Sequence, residues 1–123
     1  MLFRSALISA NKYSFRQKLV AFVEVFERAT ADNKLCLCGM LAAEVASLND
    51  HNRGLLAEFF KLGEHWLGEV LKLNADQLNI KLKPDNLAMS VMSGLEGAIL
   101  IDRVRRDQRH LRSQKLLILG LIK

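Results

Sequence analysis

The segment that most constrains this chain is residues 84–107, PDNLAMSVMSGLEGAILIDRVRRD, which predicts a single helix of about six turns. Pro84 suits the first helical position, because its missing N–H would have no helical partner there in any case. Asp85 places a negative charge at the positive end of the helix dipole, and arginines follow at the negative end. This helix is therefore the element around which the rest of the chain is predicted to be organised.

The middle of this helix has two unusual sides. One side carries small residues and one apolar residue at helical spacing: Gly94, Gly97, Ala98 and Ile101. The opposite side carries flexible apolar residues and one acid: Met89, Met92, Glu96 and Ile99. Each helical glycine costs on the order of 1 kcal/mol relative to alanine, so a compensating contact is expected. The pattern predicts one face for another helix and one face for a cavity; the alternative is a plain core helix with incidental glycines.

Periodicity elsewhere predicts further helices at residues 14–31, 35–48, 51–73 and 111–121. Ser14 and Gln17 form an S-x-x-Q capping box that marks the start of the first of these. Residues 1–13 are expected to be an irregular or briefly helical lead-in, and residues 74–83 a loop without a partner strand. The chain is therefore predicted to be all-α, with five to six helices and one domain over residues 14–123. The last helix is apolar on nearly all sides, which predicts burial, most economically against a second copy of the chain.

Composition limits the compartment and the partners. With 123 residues, of which 50% are hydrophobic, the chain is long enough for one domain with a core. Its longest apolar run, residues 116–122, is far shorter than the roughly 20 residues of a membrane span. The N-terminus lacks the apolar centre of a signal peptide, and two cysteines make no disulfide framework. These features predict a cytoplasmic protein with no membrane partner.

The net charge of +5 lies entirely in the last part of the chain. Residues 1–101 are balanced, whereas residues 102–123 contain seven Lys or Arg and two Asp. A basic end can attract nucleic acid, but no aromatic residues are interleaved with these charges to stack on bases. Cations near a helix terminus explain the pattern equally simply, so a nucleic-acid role is the less favoured interpretation.

The sequence shows no catalytic constellation. His51, His65 and His110 are scattered, without a carboxylate or cysteine at ligand spacing, so neither a metal nor another cofactor is expected. There is no glycine-rich phosphate loop and no serine elbow. We therefore expect a protein that is not an enzyme.

Two groups are candidates for ligand chemistry. Glu96 stands on an otherwise apolar side of its helix, where it could receive a cationic or hydrogen-bonding ligand; a buried acid paired within the protein is the alternative. Cys36 would lie in the first turn of its helix if Asn33 caps it, and the dipole there favours the reactive thiolate. The alternative is that Cys36 and Cys38 are two small apolar core residues.

Three stretches carry a resemblance to a known family. They are CLCGMLAAE within residues 19–48, the FF…WL pattern within residues 55–71, and LEGAILIDR at residues 95–103. Through their order and spacing, residues 14–107 resemble the C-terminal ligand-binding and dimerisation domain of TetR-type (tetracycline-repressor-type) transcriptional regulators. The resemblance implies a homodimer in which the last two long helices of each copy form a four-helix bundle, and a pocket for a small-molecule effector enclosed by the preceding helices.

The resemblance also assigns candidate residues. The implied dimer contacts are Gly94, Gly97, Ala98, Ile101, Leu117 and Leu121. The implied ligand-binding residues are Phe22, Cys36, Met40, Phe60, Trp66, Met89, Met92 and Glu96. The ligand itself is not specified beyond a small, apolar or electrophilic molecule.

Family members begin with a helix-turn-helix head, and nothing before Ser14 is long enough to form one. The chain as given is therefore not expected to bind DNA directly. The favoured interpretation is an effector-sensing, dimer-forming regulator domain. The alternative is a structural or interaction module that forms homodimers or heterodimers without a ligand, as a dominant-negative partner of a full-length regulator would.

Overall fold

The computed structural model describes residues 13–30, 44 and 47–123, without the side chain of Ala29. Within these ranges it contains four α-helices and no β-strand: α1 (Phe15–Thr30), α2 (Asp50–Leu73), α3 (Pro84–Arg105) and α4 (Arg109–Leu119). The predicted all-α class is confirmed. Almost all of the predicted lead-in and most of the predicted helix at 35–48, including Cys36 and Met40, lie outside the described residues.

The capping box predicted at the start of α1 is present. The backbone N–H of Gln17 donates to Ser14 Oγ at 3.2 Å, and the backbone N–H of Ser14 donates to Gln17 Oε1 at 2.8 Å. These reciprocal bonds satisfy N–H groups that have no partner within the helix. They fix the first turn of α1, whose buried side then packs into the core through Leu19, Phe22, Val23 and Phe26.

Replacing Ser14 with alanine is expected to lower the free energy of unfolding by about 1 kcal/mol, because the cap of α1 is lost. Urea denaturation followed by circular dichroism measures the change. Ser90→Ala, at an exposed position within α3, is the matched control and should leave stability unchanged or raise it by a few tenths of a kcal/mol. Equal stability of the two variants would contradict a role for the capping box.

Helix α3 lies at the centre of the described fold, because α1, α2 and α4 all pack against it. Leu95 and Ile99 of α3 are fully buried, as are Leu67 of α2 and Phe22 of α1. Apolar side chains from all four helices thus share one core. The predicted start of α3 is also confirmed, with Pro84 in its first turn.

The end of α3 is unusual. Arg106, the residue after the helix, has φ 56° and ψ 44°, the left-handed conformation that ends many helices. Glycine usually occupies this position, since a residue with a Cβ adopts it at a cost of about 1 kcal/mol. The left-handed residue turns the chain sharply, and α4 begins three residues later at Arg109.

The segment predicted as a loop without a partner does have one. It contains a short 3-10 helix, Ala75–Gln77, and Leu78 then forms a single antiparallel bridge with Ile122. The backbone N–H of Asn79 donates to the Leu121 carbonyl at 2.7 Å, and its side-chain amide donates to Ile122 O at 2.9 Å. The prediction missed this pairing because the partner is the tail of the chain after the last helix, where no strand pattern exists.

Helix α4 begins at Arg109, two residues earlier than predicted, and is only partly buried within one chain. Ile118 is 2% exposed, whereas Leu116 is 73% and Leu117 is 61% exposed. The predicted burial of this helix is therefore not achieved by a single copy. None of the described helices is both long and apolar enough to cross a membrane.

Candidate functional site

The joint between α3 and α4 is organised by one buried acid. Asp102 is 6% exposed and lies in the last turn of α3. Its two carboxylate oxygens accept backbone N–H groups from His110 and Leu111, each at 2.9 Å. These N–H groups belong to the first turn of α4 and have no partner within that helix. Asp102 therefore caps α4 from the neighbouring helix and fixes the angle of the joint.

The same carboxylate is held in its charged form. Burial by itself raises the pKa of Asp102, but the backbone hydrogen bonds from Leu111 and His110, together with the His110 side chain, outweigh burial and lower the pKa below its ordinary value. His110 Nδ1 lies 2.8 Å from Asp102 Oδ1. A carboxylate with several donors is strongly favoured as an anion, which makes this contact a fixed structural feature.

A third polar group, Asp107, lies near this pair. Potential ligand atoms of Asp102, Asp107 and His110 lie within 4.8 Å of one another, so His110 does have carboxylates at ligand distance, contrary to the sequence interpretation. The oxygens are already engaged, since Asp107 accepts the backbone N–H of Arg109 at 3.3 Å while Asp102 accepts two others. The positive end of α4 points toward the group and also disfavours a bound cation. We interpret the cluster as a helix cap.

The residues predicted as dimer contacts divide into two sets. Gly94 and Ala98 are used within the chain: a Cβ at Gly94 would lie only 2.6 Å from the Gln114 side chain of α4, and Ala98 is 4% exposed. Gly97, in contrast, has open space where its Cβ would be, and Ile101 is 44% exposed. Helix α4 of the same chain therefore packs against the Gly94 part of the predicted small-residue face. The part at Gly97 and Ile101 remains exposed.

Exposed apolar residues also lie on the neighbouring helix α4, at Leu116 and Leu117. We call the exposed set on α3 and α4 the apolar face; it consists of Gly97, Ile101, Leu116 and Leu117. The predicted contact Leu121 is half-buried and packs against the core. Three large apolar side chains, each at least 44% exposed, form the surface.

The predicted ligand-binding residues that the structure describes lie in two different environments, the core and a surface groove. Phe22 and Trp66 stack with their ring centroids 5.6 Å apart and their planes 9° apart. Met92 is buried in the same core cluster, and Phe60 packs against that cluster. Glu96 is half-buried on the same helix. The aromatic pair and Met92 are thus brought together in the interior, as expected for the wall of a pocket or for a core.

Met89 has a different environment. It is 46% exposed and lines an open groove of about 480 Å³ between α2 and the start of α3. The other side chains in this groove are Glu58, Lys61, Leu62, Glu64, His65 and Asp85. Met89 is therefore exposed in this surface groove, whereas Met92 is buried in the core.

Sequence reasoning missed the Asp102–His110 contact. The two residues are eight positions apart and lie on different helices, so no helical or strand period links them. One signal was present: an acid in the last turn of a helix is unfavourable toward the dipole and needs a compensating partner. On this basis Asp102 could have been predicted to accept hydrogen bonds from another part of the chain.

No protein-family model and no curated protein matches the chain, but solved structures do. It superimposes on the TetR transcriptional regulator from Legionella pneumophila with a TM-score of 0.81 and 26% identity, covering 99% of this chain and 68% of that one. For the regulatory protein TetR from Rhodobacter sphaeroides the TM-score is 0.84, with 22% identity and coverages of 99% and 67%. The reduced form of E. coli NemR gives 0.76 and 18%, with coverages of 89% and 59%.

These likenesses confirm the predicted resemblance at the level of the fold. The chain spans between 59% and 68% of the length of the three solved structures. All four described helices, including the joint capped by Asp102, lie within a fold that is shared with transcriptional regulators.

Proposed function

We propose that this chain, whose fold is that of TetR-type regulators, is an effector-binding and dimerisation domain with a regulatory and non-enzymatic role. The fold itself makes no statement about the ligand or the assembly, so each part of the proposal needs its own support. Dimerisation has the stronger support from the described residues. The interior arrangement of aromatic and methionine side chains supports effector binding.

The apolar face is the observation that carries dimerisation. Leu116 and Leu117 are more than half exposed, on a helix whose Ile118 is fully buried. Large apolar side chains exposed on two neighbouring helices are typical of an interaction site. A second copy of the chain would cover it with the same residues, as a two-fold interface requires. Gly97 adds room for a close helix–helix approach, because no atom of the described residues lies within 4 Å of the place its Cβ would take.

The proposed effector site includes the stacked pair Phe22 and Trp66 and, from the same core cluster, Met92. Cys36, Met40 and Glu96 are further candidates. Aromatic and methionine side chains bind apolar molecules of varied shape. Thiol chemistry belongs to this proposal, because a solved structure of similar fold is named as a reduced form and Cys36 and Cys38 are the two cysteines here. A small apolar or electrophilic molecule is therefore the proposed ligand class, acting in the cytoplasm.

A native mass spectrum of the purified chain tests both parts of the proposal. A dimer that carries extra mass supports dimerisation and gives the mass of the effector. A bare dimer that gains mass when incubated with an electrophile such as N-ethylmaleimide, but not after Cys36→Ser, supports the thiol site. A monomer at micromolar concentration would contradict the proposed dimer.

Trp66 gives an optical prediction, because it is the single tryptophan of the chain. A molecule that enters beside the Phe22–Trp66 stack is expected to change the intensity or wavelength of Trp66 emission, and to raise the melting temperature through mass action. Titration with a set of small apolar compounds measures both effects. Phe22→Leu should weaken the response, while Phe59→Leu, at a half-buried ring outside this stack, is the control. Equal responses in both variants would contradict this location.

The second candidate function is a helical interaction module that forms homodimers or heterodimers without an effector. The apolar face supports it as well, since a full-length regulator could supply the second copy of the bundle. The two functions separate in the melting experiment. A dimer that no compound stabilises, together with exchange of subunits with a full-length TetR-type regulator, would favour the interaction module.

A further inference from the structure

One residue, Asn79, fastens the segment that follows α4 to the connection between α2 and α3. We call this segment, residues 120–123, the tail. The backbone N–H of Asn79 donates to Leu121 O at 2.7 Å. Its side-chain amide has two N–H groups, and the amide nitrogen lies 3.2 Å from Gly120 O and 2.9 Å from Ile122 O. Asn79 therefore binds three consecutive carbonyl groups of the tail.

The neighbours of this asparagine hold the tail as well. The backbone N–H of Lys123 donates to Gln77 O at 2.7 Å. Leu78 forms the antiparallel bridge with Ile122 and is itself buried. Leu121 and Ile122 pack against the core. The tail therefore packs inward through its apolar side chains, while the connection between α2 and α3 binds its backbone.

Helix α4 needs contacts of this kind because it is short. It has 11 residues, and an isolated helix of fewer than about 12–15 residues is marginal in water. Of its side chains, only Leu111 and Ile118 are buried. Asp102 caps its first turn from α3, and Asn79 binds the turn that follows its last residue. Each end of α4 is therefore held by hydrogen bonds from another part of the chain.

The end of α4 that the tail holds is the end that carries Leu116 and Leu117 of the apolar face. These side chains are 73% and 61% exposed, so packing within one chain does little to fix them. The backbone N–H of Gly120 donates to Leu116 O at 2.9 Å, which joins the tail directly to the turn that carries both leucines. A surface that is ordered before association binds more tightly, since less conformational entropy is lost in the complex.

We propose that Asn79 is a positioning residue for dimerisation. By binding the tail, it keeps the last turn of α4 in the orientation in which Leu116 and Leu117 meet a second copy of the chain. The inference rests on the proposed dimer and adds to it a residue that is not a member of the apolar face. Without the side-chain amide, the tail loses two hydrogen bonds and the last turn of α4 frays. The two leucines must then be ordered during association, and the affinity of the dimer falls.

Sedimentation velocity over a range of concentrations tests the effect on assembly. We expect Asn79→Ala to raise the dimer dissociation constant roughly tenfold, because two leucine side chains and their turn must be ordered on association. Asn79→Asp keeps the size of the side chain but has no N–H to donate, so it should weaken the dimer at least as much. Asn52→Ala, at an exposed position in the first turn of α2, is the control and should leave the dissociation constant unchanged.

Amide hydrogen exchange measures the hold on the tail independently of assembly. The measurement uses Gly97→Leu, which is expected to weaken the dimer, with and without Asn79→Ala. We expect the amides of residues 120–123 to exchange roughly fivefold faster when Asn79 is replaced, the factor that corresponds to the loss of about one net hydrogen bond. The Asn52→Ala control should leave these exchange rates unchanged.

The two measurements together separate the alternatives. Faster exchange with an unchanged dissociation constant would overturn the proposal, because Asn79 would then serve only the stability of one chain. A weaker dimer with unchanged exchange would also overturn it, and would instead indicate direct contact between Asn79 and the second copy. A monomeric wild type would contradict the proposed dimer and the positioning role with it, whereas the exchange rates would still show whether Asn79 holds the end of α4.

Discussion

Replacing Asp102 with alanine is expected to lower the free energy of unfolding by about 3 kcal/mol, the largest effect of any polar substitution predicted here. The variant loses the acceptor for the backbone N–H groups of His110 and Leu111, and it leaves those groups without a partner at a buried joint. Urea denaturation followed by circular dichroism measures the loss. Asp102→Asn keeps the shape but replaces one acceptor oxygen with a donor, so we expect an intermediate loss of about 2 kcal/mol.

The contribution of Asp102 also has a defined dependence on pH. The pKa of this carboxyl is lowered on folding, so the folded state binds fewer protons than the unfolded state near that pKa. The stability that it contributes is therefore present above about pH 4, the ordinary range for Asp, and is lost as the pH falls through the folded-state pKa. Asp102→Asn cannot titrate, so the difference between it and the wild type should shrink below about pH 4.

Glu69→Ala, at an exposed position on α2, is the matched control for the loss of a carboxylate. It should change the free energy of unfolding by no more than about 0.5 kcal/mol and leave the pH profile unaltered. If Asp102→Ala were no less stable than this control, the joint would not depend on the cap. A pH-independent difference between wild type and Asp102→Asn would contradict the ionised state of the carboxyl.

The helices could be predicted from the sequence because each has a local cause. Pro84 fixed the start of α3, and the capping box at Ser14 fixed the start of α1. Helix α2 begins at Asp50, one residue from its expected start, after Asn49 caps it through the backbone N–H of Asn52. Caps and apolar periods act over a few residues, so they can be recognised without knowing the fold.

The features that escaped prediction all join distant parts of the chain. The bridge between Leu78 and Ile122 links residues more than forty positions apart. Apolar residues alternate with polar ones at Leu78, Ile80 and Leu82, but the tail around Ile122 has no strand pattern that would identify it as the partner. The cap by Asp102 likewise crosses from one helix to another. Helical spacing placed Gly94 and Gly97 on one face, but only the packing of α4 shows that Gln114 covers the first and leaves the second open. Tertiary packing, which no local period encodes, decides these contacts.

Tertiary packing also decided which of the predicted ligand-binding residues lie together. Phe22 and Trp66 were named separately and prove to stack, since both are large apolar residues on the inner sides of their helices. Met89 and Met92 were predicted to lie on the same side of α3. Because they are three positions apart, their side chains differ in direction by about 60°. Met92 is buried in the core, whereas Met89 is exposed in the groove. Neighbouring helices set where the boundary between these environments falls.

Replacing Gly97 with leucine is expected to weaken dimerisation at least about 100-fold, or about 2.7 kcal/mol, if the apolar face is the dimer interface. Among the described residues no atom lies within 4 Å of a Cβ added at Gly97, so the first carbon of the new side chain fits within one chain. Leucine also favours helix over glycine by up to about 1 kcal/mol, which should maintain the fold of α3. The cost therefore falls on a second helix packed closely against this position. Sedimentation velocity over a range of concentrations measures the shift from dimer to monomer.

Gly54 offers a matched control, because it is also a helical glycine with no atom within 4 Å of an added Cβ, but lies near the start of α2, away from the apolar face. Gly54→Leu should gain a similar helix preference and leave the dimer intact. Loss of the dimer in Gly97→Leu alone would locate the interface on α3. A Gly97→Leu protein that dimerises like Gly54→Leu would show that the open space beside Gly97 is not filled by a partner helix, and the apolar face would then need another occupant.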